Sequence, residues 1–110
     1  MAIALIRSTA HGDLYSIEAA AGTSAIDLTP AVADRKVSIR GGTLIVSAAC
    51  EIQLVEETTG TALSGKFDLP QAAEWSISFD REYAAETDNK KITLTRSASA
   101  KVTGEILISS

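Results

Sequence analysis

The sequence is short of most groups that perform chemistry. Its 110 residues include one cysteine, one histidine, one tryptophan and two prolines. A single thiol cannot close an internal disulfide, so nothing marks an oxidising compartment. Cys50 lies among Ala48, Ala49, Ile52 and Leu54 and reads as a small buried hydrophobe rather than a reactive thiol. His11, in Thr9-Ala10-His11-Gly12-Asp13, reads as a solvated loop residue beside a Gly-Asp turn, with no partner ligand for a metal. No stretch approaches the roughly 20 apolar residues of a membrane-spanning helix. Met1 to Ile6 is apolar but lacks a basic leader and a long apolar region, so it does not read as a signal peptide. Synthesis in the cytoplasm is expected.

Positive charge is also in deficit: 10 Lys and Arg stand against 14 Asp and Glu, a formal net charge of −4. Nucleic-acid binding leaves a basic stripe that neutralises phosphates. Here only Arg35-Lys36 and Lys90-Lys91 are adjacent basic pairs, and Glu86 and Asp88 cancel the field of the second. Neither nucleic acid nor an anionic membrane is an expected partner.

The constellations of catalysis are missing in the same way. The acidic run with Asp80, Glu82, Glu86 and Asp88 lacks the ligand spacing and fixed glycine of a calcium loop, so it reads as a solvated face. Glu56 and Glu57 are sequence neighbours whose side chains diverge in a strand, unlike the facing carboxylates of a glycosidase. The single histidine carries no signature that places it beside a serine or cysteine nucleophile, and Gly-x-Ser-x-Gly is absent. Gly41-Gly42 lacks the Lys-Ser/Thr and helix of a phosphate loop. Trp75 and Tyr83 offer a sugar-stacking platform only if exposed, and burial is the commoner fate of a tryptophan. The reading is a non-enzymatic chain with no catalytic, cofactor-binding or metal residues and no cofactor.

What the chain does have is alternation. One domain is expected at this length. Aromatics are only 5% of residues, so the core must be built from Ile, Leu, Val and Ala. Such a thin core favours support from a partner surface. Short β-like pieces run Ile3 to Arg7, Leu14 to Ala19 and Ser24 to Leu28. The second also fits a helical turn, but Tyr15-Ser16-Ile17 favours strand. Thr29-Pro30 ends that region and Pro30 to Asp34 reads as a loose turn.

Val37 and Ile39 alternate with polar residues up to Gly41-Gly42, and Thr43 to Ser47 follows. The two glycines read either as a hairpin turn or as a bend in one long strand where another backbone approaches. Glu51 to Glu56 puts Ile52, Leu54 and Glu56 on one face. Ala62 to Leu69 alternates, with Gly65 as a bulge. Trp75, Ile77 and Phe79 share one face of a strand and should anchor the core. Asp80 to Asn89 is a polar loop. Ile92 and Leu94, then Val102, Gly104, Ile106 and Ile108, complete the pattern. Seven or more short strands at roughly ten-residue spacing predict a single-domain, all-β antiparallel sandwich or barrel. Residues 1–34 are expected to form an N-terminal arm or edge strands that serve contacts more than core, and residues 35–110 the sandwich core.

Four pieces carry a family resemblance: Lys36-Val37-Ser38-Ile39, Thr59-Gly60-Thr61-Ala62-Leu63-Ser64-Gly65, Ile92-Thr93-Leu94-Thr95-Arg96-Ser97-Ala98, and Val102-Thr103-Gly104-Glu105-Ile106. The stretch from Lys36 to Ile108 resembles small virion proteins of tailed bacteriophages and prophages, best the capsid decoration (cement) proteins. The resemblance implies a jelly-roll-like sandwich and favours the long bent strand over the Gly41-Gly42 hairpin. It further implies a structural protein on the capsid surface of the virion, made in the host cytoplasm. Its partners would be the major capsid protein and copies of itself, a homotrimer being the expected assembly. Arg35, Lys36, Lys90 and Lys91 are candidate contacts to capsid carboxylates. The alternative is a receptor- or glycan-binding module of a phage head or tail fibre.

Overall fold

Side chains that alternate apolar and polar can bury one face of a strand and wet the other, and that pattern builds ten strands among the described residues. A computed structural model describes residues 2–10, 12–57, 59–70, 74–77 and 83–109, with Ala2 and residues 74–77 by backbone alone. The strands are β1 (Ala2–Thr9), β2 (Gly12–Ala19), β3 (Ile26–Asp27), β4 (Ser38–Val46), β5 (Cys50–Glu57), β6 (Phe67–Leu69), β7 (Glu74–Ile77), β8 (Tyr83–Ala84), β9 (Lys91–Arg96) and β10 (Val102–Ser109). One sheet has the order β1-β2-β10-β4-β7, with β8 also on β4; the other has the order β3-β9-β5-β6. Every pairing is antiparallel. The chain is all-β, as the alternation implies, and segment 14–19 is strand rather than helix.

The two sheets enclose one aliphatic core. Ile17, Ile39, Leu44, Val46, Val102 and Ile106 come from the first sheet. Ile26, Ile52, Leu54, Ile92 and Leu94 come from the second. Each fully buried Leu, Ile or Val contributes about 1.5–3 kcal/mol relative to exposure, so this set supplies the main driving force. Ile17, Ala19, Ile26 and Leu28 belong to the same core. Residues 1–34 therefore divide: β1 and β3 are edge strands, whereas β2 lies between β1 and β10 and contributes core.

The long strand, not the hairpin, is what Gly41-Gly42 builds: β4 runs through both residues. Gly42 has φ +139° and stands opposite Ile106; Gly104 has φ +146° and stands opposite Leu44. A Cβ on Gly42 would lie 2.7 Å from the Ile106 Cα and overlap the Glu105 carbonyl. A Cβ on Gly104 would overlap the Thr43 carbonyl. The two glycines let β4 and β10 approach closely. The register of this pair then slips between Leu107 and Ile108, which leaves Arg40 as an extra, bulged residue between Ile39 and Gly41.

Two expectations change in detail. Ala62 to Leu69 is not one strand: Ala62 makes a lone bridge to Val55, and regular pairing resumes only at Phe67 opposite Ile52. Ser64 explains the break. Its Oγ accepts the Leu54 N–H at 2.9 Å and its carbonyl accepts Gln53 Nε2 at 3.1 Å, so side chains replace ladder bonds there. The polar loop from Asp80 to Asn89 also contains a short strand, β8, which pairs with Ser38 and Ile39. Trp75 and Ile77 stand opposite Leu44 and Gly42 in the ladder. Their side chains, and Phe79 altogether, lie outside the described residues.

Candidate functional site

The most constrained titratable group is Glu56, and its position follows from alternation. Ile52, Leu54 and Glu56 point to the same side of β5, so the carboxylate enters the interior and is 1% exposed. Thr59 Oγ1 donates to Oε2 at 2.6 Å, and the Thr87 N–H donates to Oε1 at 2.8 Å. These bonds, that from Thr59 above all, hold the carboxyl below its usual range despite the opposing cost of burial. Glu56 thus ties the turn after β5 to the loop before β9. Glu57 is only half-buried on the next position of the strand, so the two carboxylates do not face a common space.

The other sequence candidates are dispersed. Cys50 is buried, and desolvation pushes its thiol up, away from reactivity. Glu86 and Asp88 are exposed. Among the described residues no three His, Cys, Asp or Glu side chains cluster closely enough for a metal ion. His11, Asp80 and Glu82 lie outside the described residues. Tyr83 is half-buried against the core. The Asn89 N–H donates to the Arg35 carbonyl at 3.0 Å, which brings the two basic pairs to neighbouring loops. Lys91 is occupied with Asp27 at 3.1 Å, and that bond holds its ammonium above the ordinary lysine value.

Three features were not singled out from sequence. The first is the exposed pair Leu5 and Ile6 on β1, a strand the sequence places only among N-terminal edge strands that serve contacts. Among the described residues β1 pairs with β2 alone and so lies at a sheet edge, with Leu5 55% and Ile6 50% exposed. A long edge strand bearing apolar side chains is a template for pairing with another chain. The signal was available: Ile3-Ala4-Leu5-Ile6 has no polar member, so either face of that strand is apolar. The second is Arg96, whose guanidinium donates to the Ser24 carbonyl at 2.7 Å, the Ala20 carbonyl at 3.0 Å and the Ala100 carbonyl at 2.6 Å. It clamps two loops at one end of the sandwich. The third is a cleft of about 450 Å³ lined by Pro30 and Val32 together with residues of β2, β4 and β10. Asp13, Tyr15 and the bulged Arg40 line it. No sequence signal separates Arg40 from an ordinary solvated arginine, because its placement depends on a slip in β-pairing.

No family model, curated protein or solved structure matches this chain. Among the described residues no helix is long and apolar enough to cross a membrane.

Proposed function

We propose that this chain is a structural virion protein: a bacteriophage capsid decoration, or cement, protein that binds the assembled shell and stabilises it. The observation that carries the reading is the exposed apolar edge of β1. If β1 and the short β8 on β4 are set aside, the strand orders are β2-β10-β4-β7 and β3-β9-β5-β6. We read these eight strands as a jelly roll. On this reading β1 is an addition to a complete fold, with Leu5 and Ile6 left to meet a partner. The resemblance across Lys36 to Ile108 supports the same reading.

The partner would be the major capsid protein where its subunits meet, together with further copies of this chain. Binding only to assembled shells would stabilise them by mass action. The test is co-sedimentation with capsids stripped of the protein, followed by heating. Retention on capsids, absence of binding to free capsid subunits and a rise in capsid heat resistance are expected. Failure to co-sediment, or no gain in heat resistance at saturation, would defeat the cement reading. Tyr83, one of the two aromatic candidates of the fibre-module alternative, is half-buried.

A further inference from the structure

We propose that the cleft bounded by Asp13, Tyr15 and Arg40 binds a small carboxylated sugar, with Arg40 holding the carboxylate. Arg40 has no partner position on β10, because Gly41 pairs with Leu107 and Ile39 with Ile108. A bulge re-aims the side chain it carries. Here it brings Arg40 into a concave space with Asp13, Tyr15, Pro30, Val32 and Ser109.

Among the described residues the half-buried Arg40 makes no hydrogen bond or ion pair, whereas the guanidinium of Arg96 is spent on three carbonyls. Asp13 shares the cleft and is not in an ion pair with it; the ion pairs between described residues are Lys66–Glu51 and Lys91–Asp27. An open guanidinium fork matches a planar oxyanion in two parallel hydrogen bonds.

Charge and shape narrow the ligand. One arginine opposite one aspartate, on a chain of net charge −4, suits a single negative charge better than a phosphate dianion. Asp13 accepts hydrogen bonds only, which suits a hydroxylated ligand. Tyr15 and Pro30 offer ring surfaces for the apolar face of a sugar. Both residues also line an adjoining cleft of about 350 Å³ that ends at Asp27 and Lys91. The volume of the main cleft lies in the range of small-ligand sites, about 300–1,000 Å³. A second sugar unit would pass over Tyr15 into the adjoining space.

The cleft does not include Leu5 or Ile6, so failure to bind capsids leaves the sugar site intact and failure to bind sugar leaves the capsid reading intact. The test is nitrogen–proton NMR of the full chain titrated with D-glucuronate, D-glucose and propionate. Glucuronate should shift the Arg40 side-chain Nε–H and the Tyr15 amide in a saturable way. Glucose lacks the carboxylate and propionate lacks the ring, and each should bind at least about tenfold more weakly, since an unfilled polar partner is costly. Arg40→Gln should remove the preference for glucuronate over glucose, with the resonances of β5 and β9 unchanged. Equal response to glucuronate and glucose, or no saturable shift at Arg40 with any probe, would overturn the proposal. The wild-type comparison needs no variant, so it decides the matter even if Arg40→Gln fails to fold.

Discussion

A carboxylate inside an aliphatic sandwich survives only when its oxygens are answered, and Glu56 is answered by Thr59 and Thr87. A glutamine there keeps one acceptor oxygen but turns the other into an NH2, so one of the two donors meets a donor instead of an acceptor. Glu56→Gln should therefore lower stability by about 1–3 kcal/mol at neutral pH, measured by urea denaturation. The pH dependence follows from the direction of the shift. The folded carboxyl titrates below its unfolded value, which is about 4.3 for glutamate. Its stabilisation is full above that unfolded value and is lost as pH falls through the lower, folded one. Wild-type stability should thus decline on acidification below about pH 4, and the Gln variant should decline less steeply over the same range. Identical slopes for the two proteins would show that Glu56 does not carry this dependence. Thr59→Ala should reproduce part of the Gln effect, since it removes the bond that contributes most to the shift.

Strands depend on their neighbours as well as on their own residues, and the seam between β4 and β10 shows how narrowly. Gly104→Ala would place a Cβ against the Thr43 carbonyl at a φ of +146°. Backbone strain of about 1–3 kcal/mol and overpacking of similar size should together unfold the protein or cost about 3 kcal/mol or more. Gly65→Ala meets nothing within 4 Å and should change the melting temperature little. Equal effects of the two substitutions would refute the close approach. The same seam marks where sequence reading ends. Alternation located most strands, because a half-buried strand must alternate. It could not decide between a hairpin and a bent strand at Gly41-Gly42, because both need missing side chains; the backbone of β10 made the difference. It also merged Ala62 with Phe67, because the Ser64 substitution for ladder bonds depends on β5 lying alongside. Edge and interior were hidden too: β1 and β2 are both eight residues long, and pairing with β10 makes β2 internal. Deleting residues 1–10 should keep the β circular-dichroism signal, because Leu5 and Ile6 are exposed and, among the described side chains of β1, only Ile3 packs against the core. The melting temperature should fall by about 4–8 °C for each kcal/mol lost with Ile3. Collapse of the β signal would instead make β1 integral to the fold.

At the scale of the whole molecule the question is what meets the edges that the first sheet has among the described residues. One edge is β1, with its exposed aliphatic side chains; the other is the pair of short strands β7 and β8 along β4. Two unlike edges on one sheet permit head-to-tail association, which forms a closed ring when the rotation between copies allows it. A ring of three would match the threefold environments of a capsid that the family resemblance implies. Light scattering during size exclusion should then give a mass near three times the 11.5 kDa chain. The double substitution Leu5→Lys and Ile6→Lys should shift that mass towards the monomer, because a charge on an edge strand blocks pairing. Its β signal should stay unchanged, since both positions already face water. If the basic loops around Arg35 and Lys90 rather than β1 make the contact, the same variant will remain associated. Added salt will then dissociate it, because exposed charge pairs are screened over about 8–10 Å at moderate ionic strength. A clean wild-type monomer at high micromolar concentration would remove the ring and leave the assembled lattice as the place where copies first meet.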